Sequence, residues 1–122
     1  MPKILVIEDE ELMLKTLCFR LKKDGNEVFP AQDGKQGLEI LETTQVDMVI
    51  TDIMLPFVSG LEIVSKIKSN PDTKHLPVII LSGVGLEKIV LEAFELGADD
   101  FITKPFNLSE LSVRVKKHSK SA

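Results

Sequence analysis

The strongest constraint on this chain is a regular alternation of two hydrophobic rhythms. Short apolar runs recur at Ile4–Ile7, Val28–Phe29, Met48–Ile50, Val78–Leu81 and Phe101–Ile102. The clearest are continuous and rich in Val and Ile, the pattern of strands buried on both faces of a parallel sheet. Val28–Phe29 carries that pattern least. Five stretches with helical spacing alternate with the runs. From about Glu10 to Lys23, Leu14, Leu17, Cys18 and Leu21 form one stripe. Gly34, Gly37, Leu38 and Leu41 mark a second, and Gly60, Ile63, Val64 and Ile67 a third. Leu86, Ile89, Val90 and Ala93 mark the fourth; Leu108, Leu111 and Val115 mark the last. Recurrence near i, i+3 or i+4, and i+7 gives each helix one apolar face to lay on the sheet. Gly25-Asn26, Asp33-Gly34, Pro56, Asn70-Pro71, Gly97 and Pro105 break the pattern between elements. Asn107 followed by Glu110 reads as a capping box opening the last helix. No internal repeat or low-complexity segment interrupts the series. The expected fold is α/β, a doubly wound (βα)5 sandwich.

A length of 122 residues suits one domain, taken here as residues 1–122. The chain lacks Trp and Tyr, so its core must be aliphatic, supplemented by six Phe. A formal net charge of −4 argues against direct nucleic acid binding by this domain. The single cysteine, Cys18, excludes an intrachain disulfide and a cysteine metal cluster. Its place on an apolar stripe makes it a core thiol rather than a nucleophile. Ile4–Ile7 is too short for a signal peptide and is followed at once by acids. No run approaches the roughly 18 apolar residues of a membrane span. A cytoplasmic protein without membrane contact is expected.

Open α/β sheets hold their ligands at the carboxyl ends of the strands. Chemically useful residues fall there. Strand one ends in Glu8-Asp9-Glu10, strand three in Thr51-Asp52, strand four in Ser82-Gly83 and strand five in Thr103-Lys104-Pro105. Taken singly, an Asp after a strand is a turn residue or helix cap, a Ser before Gly a turn, and a Lys before Pro a solvated side chain. Together they bring carboxylates, a hydroxyl and an ammonium to one edge. Clustered carboxylates repel until a cation relieves them. Hard oxygens at an open edge suit Mg²⁺, which takes one or two carboxylates with waters and phosphate oxygens. The lysine offers a point charge to a phosphate oxygen. Such a set meets the needs of phosphoryl transfer, where positioning and charge neutralisation dominate. A carboxylate can itself be the nucleophile. Asp52 is the best candidate, because a central strand places it mid-group.

At these residues the sequence resembles the receiver domain of bacterial two-component response regulators, from roughly Lys3 to Lys117. The matching stretches are Ile4 to Glu10, Asp47 to Pro56 and Gly97 to Phe106. The resemblance implies a flavodoxin-like parallel sheet in the order 2-1-3-4-5. It implies that Asp52 is the phosphoacceptor, charged by a sensor histidine kinase or phosphotransfer protein. Asp9, Asp52 and the backbone carbonyl of Met54 would hold Mg²⁺ (or Mn²⁺) directly, and Glu8 through water. Ser82 and Lys104 would contact the phosphoryl group, and Phe101 would be the aromatic switch. Lys104-Pro105 matches the family's cis peptide bond. The chain would catalyse its own phosphorylation without being a turnover enzyme.

Departures from the family pattern carry information. Phe101 replaces the commoner Tyr, so no phenol can hydrogen-bond at the switch. Met54 and Val84 are apolar where other members often hold polar groups that orient a hydrolytic water, so slow self-dephosphorylation is expected. No output domain is expected within these residues; the short polar tail His118 to Ala122 does not separate a stand-alone regulator from an excised receiver. The stretch Gly97 to Arg114 is most similar to receivers that carry a winged-helix output and dimerise through the fourth helix, fifth strand and fifth helix. Glu95, Asp100, Arg114 and Lys116 match parts of that charge pattern, whereas Val90 stands where a basic residue is usual. Leu91 lies off its helix's core stripe, an exposed apolar contact for a weak homodimer.

Three rival readings meet obstacles. A haloacid-type phosphatase needs a second Asp two residues after the nucleophile as acid/base, and Met54 stands there. A flavin or nucleotide module needs a Gly- or Ser/Thr-rich loop after strand one. Three acids occupy that loop, and the G-x-G run Gly83-Val84-Gly85 is followed by Lys88 where a third glycine would be. A degenerate receiver acting only as a scaffold would not need Glu8, Asp9, Asp52, Ser82 and Lys104 together.

Overall fold

The computed structural model describes residues 1–119; of the polar tail, residues 120–122 lie outside the described residues. Ten elements alternate along the chain. They are β1 (Lys3–Ile7), α1 (Glu11–Lys23), β2 (Glu27–Ala31), α2 (Gly34–Thr43), β3 (Met48–Asp52), α3 (Gly60–Ser69), β4 (Val78–Ser82), α4 (Glu87–Glu95), β5 (Asp100–Thr103) and α5 (Leu108–His118). All strand pairs are parallel, in the order β2-β1-β3-β4-β5. Both the fold class and the strand order are as expected.

The continuous apolar runs follow from a sheet covered on both sides. Successive side chains of a strand point to opposite faces. Thus Ile4 and Val6 of β1 join Leu14, Leu17, Leu21, Leu111 and Val115 of α1 and α5. Leu5 and Ile7 join Ile63, Val64, Ile67, Val90 and Ala93 of α3 and α4 on the other face. Strands β3 and β4 split in the same way: Ile50 and Ile79 face one cluster, Val49 and Ile80 the other. Cys18 is buried with the α1–α5 cluster, and burial pushes its thiol pKa up, as an inert core thiol requires.

Strand β2 explains why Val28–Phe29 was faint. It lies at the sheet edge, and only Val28 and Ala31 are buried in it. Pro30, paired with Val6, has no N–H to donate and is tolerated at such an edge. At the last helix Asn107 Oδ1 accepts the Glu110 N–H at 2.7 Å, so one half of the expected capping box forms. The Glu110 carboxylate turns instead to Arg114, 3.6 Å away. Among the described residues no helix is long and apolar enough to cross a membrane.

Parallel strands bring all their carboxyl ends to one edge. Register then fixes the neighbours: Ile7 beside Thr51, Asp52 beside Leu81, and Ser82 beside Thr103. Glu8, Asp52, Ser82 and Lys104 therefore follow from strand pairing rather than from loop placement.

Candidate functional site

Asp52 is the last residue of β3 and is buried at the strand edge. Its Oδ1 accepts the Met54 N–H at 3.1 Å, and its Oδ2 accepts from Lys104 Nζ at 2.6 Å. The loop beyond it is drawn in tightly. The Gly60 N–H bonds to the Ile53 carbonyl at 3.0 Å. A Cβ on Gly60 would sit 2.5 Å from both the Asp52 carbonyl oxygen and Ile53 Cα, so no larger residue fits beneath Asp52. Ser59 caps α3 by accepting the Glu62 N–H at 3.3 Å.

Glu8 is 0% exposed, directly after β1. Its Oε1 accepts from Lys104 Nζ at 2.7 Å and its Oε2 from the Glu10 N–H at 3.1 Å. Burial raises its pKa from 4.5 to about 7, with the Asp52 charge adding to the rise; the bonds from Lys104 and Glu10 oppose it. Asp9 is exposed at the rim. Carboxylate oxygens of Glu8, Asp9 and Asp52 lie within 4.8 Å of one another.

Lys104 is positioned by the sheet: its N–H bonds to the Ser82 carbonyl at 2.6 Å, just past the Ser82–Thr103 pairing. Burial works against its charge, yet hydrogen bonds to Asp52 and Glu8 and their negative charges outweigh it, and the pKa lies above the usual lysine value. The family resemblance implies a phosphoryl contact for Lys104; here the ammonium bridges the two buried carboxylates. The two placements share one cause, since carboxylates gathered this closely need a cation. The Lys104–Pro105 peptide is cis.

Ser82 is buried at the end of β4. Phe101 is half-buried on β5, its ring edge-on to Phe94 with centroids 5.8 Å apart. Met54 and Val84 are 56% and 79% exposed. Every residue singled out for the site therefore stands along one sheet edge or the strand beside it.

The donor set fits a small hard cation. Three carboxylates each offer an oxygen within 4.8 Å of the others, and Lys104 bridges only Glu8 and Asp52. Sequence reasoning missed the support beneath Asp52. Ser59-Gly60 with Glu62 three residues after the serine is a capping-box signature that would have placed the α3 start there. It also missed the anchoring of Asp100, which is buried and bonded by Arg114 Nη1 at 2.7 Å and His118 Nε2 at 2.9 Å. Two members of the charge pattern associated with dimer contacts thus satisfy each other within the chain.

Residues 4–116 match the family described as response regulator receiver domain. The phosphate regulon transcriptional regulatory protein PhoB of Rhizobium meliloti (strain 1021) is 39% identical over 116 residues, 95% of this chain and 51% of that protein. The alkaline phosphatase synthesis transcriptional regulatory protein PhoP of Bacillus subtilis (strain 168) is 36% identical over 114 residues, 93% of this chain and 47% of its own length. The chain therefore spans about half the length of these relatives. Among solved structures, a receiver domain protein from Clostridium thermocellum superposes with a TM-score of 0.89 at 38% identity, covering 97% of this chain and 94% of that one. The chemotaxis response regulator CheY4 of Vibrio cholerae gives 0.90 at 26% identity, over 98% and 99% of the two chains. With its sheet order, acidic edge and these likenesses in agreement, the chain belongs to the response regulator receiver domains of two-component systems.

Proposed function

We propose that Asp52 accepts a phosphoryl group from a phosphohistidine on a sensor histidine kinase or phosphotransfer protein. The observation that carries this reading is the position of Asp52. Its carboxylate is recessed at the strand edge, one oxygen held by the Met54 N–H and the other by Lys104, among two further carboxylates. The Met54 bond fixes the orientation of the nucleophile. Lys104 then exchanges a carboxylate oxygen for a phosphoryl oxygen as negative charge arrives, and the Ser82 hydroxyl donates to another. Asp9, Asp52 and the Met54 carbonyl would hold Mg²⁺ or Mn²⁺, with Glu8 acting through water. Such an ion supplies neutralisation of the charge shared by the acceptor and the phosphoryl oxygens. The chain serves its own modification and is not a turnover enzyme on a separate substrate.

Loss of the phosphoryl group should be slow, because the exposed side chains of Met54 and Val84 offer a water no donor and no acceptor stronger than a thioether sulfur. The signal leaves through α4, β5 and α5, where Phe101 turns inward as Ser82 moves toward the phosphoryl group. Leu91, 62% exposed on α4, is the apolar contact of a weak homodimer on that face. The cytoplasm, where kinase and receiver meet, is the site of action.

The test is intact-mass measurement after incubation with acetyl phosphate. The native chain should gain one phosphoryl group in Mg²⁺ and none in EDTA, and Asp52→Asn should gain none. Equal labelling of both chains, or no labelling of the native chain, refutes the reading.

A further inference from the structure

Phe57, in the loop between β3 and α3, has φ +69°, the sole positive φ at a non-glycine residue among the described residues. Across it the Val58 N–H bonds to the Pro56 carbonyl at 2.8 Å. A hydrogen bond between residues i and i+2 closed over a positive φ is the rare, strained form of the γ-turn. Glycine takes that conformation freely; a residue with a Cβ does not. The ring recovers nothing by burial, since Phe57 is 96% exposed. One position thus breaks both the backbone preference and the burial preference of its residue type, as strained functional positions do.

The loop around it is anchored. Val58 packs against Gly34 at the start of α2, closely enough that a Cβ on that glycine would lie 2.8 Å from Val58 Cβ. Gly60 is pressed on the Asp52 carbonyl. Phe57 is therefore presented outward from a fixed base, between the acceptor and α3. Leu12, Met54 and Val84, also exposed and apolar, stand in the segments that follow β1, β3 and β4 at the same sheet edge. Asp52 itself is recessed, 7% exposed. A histidine side chain is short, so a phosphohistidine that reaches Asp52 brings the surface of its own protein down onto this rim. Small phosphoryl donors enter without touching it.

We propose that Phe57 is a docking contact for the protein phosphodonor, its outward ring seating in an apolar depression beside the phosphohistidine. The proposal rests on Asp52 being the acceptor. In the transfer the donor P–N bond breaks and a P–O bond to Asp52 forms, while the imidazole nitrogen keeps the electron pair and takes a proton from water. Phe57 touches none of these atoms, so its effect is confined to how the donor protein binds.

The test compares two donors with the same P–N bond. Phosphoramidate is the small donor. The protein donor is the autophosphorylated cytoplasmic part of whichever sensor histidine kinase, from a purified panel, labels the native chain fastest. Phe57→Gly relieves the strained turn and so keeps the fold. It should be labelled by phosphoramidate at the native rate and from the kinase with kcat/KM at least about tenfold lower, mostly through KM. Phe57→Leu, which keeps an apolar knob, should fall between. Equal rates from the kinase for native chain and Phe57→Gly overturn the proposal, and so does an equal loss with both donors, which would assign Phe57 to the site itself. A native chain labelled by phosphoramidate but by no kinase in the panel also overturns it. A native chain that phosphoramidate leaves unlabelled overturns instead the reading of Asp52 as acceptor.

Discussion

Replacing Lys104 by Met in metal-free buffer should destabilise the fold by an amount that grows with pH. Lys104 bridges Glu8 and Asp52 at 2.7 and 2.6 Å. Glu8 has a folded pKa of about 7, raised by burial from 4.5, with the Lys104 bond holding it down. Removing Lys104 removes that restraint, so the folded pKa of Glu8 rises further. Between about pH 7 and the new value the native chain carries an ionised Glu8 and the variant a protonated one. The folded variant then binds one more proton than the folded native chain. By linkage, the gap in stability changes by about 1.4 kcal/mol per pH unit in that window. The direction follows from the native state. There a raised acid pKa makes stability fall as pH rises from 4.5 to about 7, after which the Glu8 contribution is flat. In the variant this fall continues to higher pH. From pH 7 to 8.5 the gap should widen by about 2 kcal/mol, or about 8 °C in Tm for a chain of this size. Urea unfolding in EDTA at pH 6, 7 and 8.5 reads it directly. Adding Glu8→Gln to the variant removes the titrating group and should flatten the profile. A gap constant across this range, or a slope that survives in the double variant, would refute the assignment of Glu8 as the buried acid that Lys104 holds charged.

Gly60→Ala should cost about 1–3 kcal/mol in urea unfolding, because its Cβ meets backbone rather than a movable side chain, and should slow labelling of Asp52. Native stability in urea counts against that packing. Asp100, despite burial, has its pKa lowered from 3.8 by bonds from His118 and Phe101 and by the Arg114 charge. The stability it lends is therefore full above pH 3.8 and lost as pH falls through its lower folded value. Asp100→Asn should destabilise at pH 6, and its deficit relative to the native chain should shrink as pH falls below 3.8, followed by circular dichroism; an unchanged acid limb contradicts this. Met54→Asn should shorten the lifetime of the phosphorylated chain by about tenfold if water orientation limits hydrolysis, followed as loss of mass label after donor removal. A native chain that already loses its label rapidly excludes the slow-hydrolysis reading.

Much of this fold was legible because a doubly covered parallel sheet writes uninterrupted Val and Ile runs, and three strands here are buried along almost their whole length. Strand β2 was faint for the opposite reason: at an edge, Glu27 and Pro30 face solvent and dilute the signal. The candidate site was legible since strand ends are fixed by sequence and parallel pairing collects them. What sequence could not give was the partner of each group. Lys104 reaches across to residues 96 and 52 positions away, and such pairings are set by register alone. The pairing of Asp100 with Arg114 and His118 depends on how α5 lies against β5, which no local pattern encodes. Phe57 is silent in the sequence because an exposed aromatic and a backbone angle leave no periodic trace.

The most direct test of the account is the chemical identity of the modified residue. After phosphorylation in Mg²⁺, borohydride reduces an aspartyl phosphate to homoserine, and peptide mass spectrometry locates the change. Homoserine is expected at position 52 of the native chain and at no other acid, with none formed in EDTA. Homoserine at position 9, or a phosphoryl group that resists borohydride on Ser82, would contradict it.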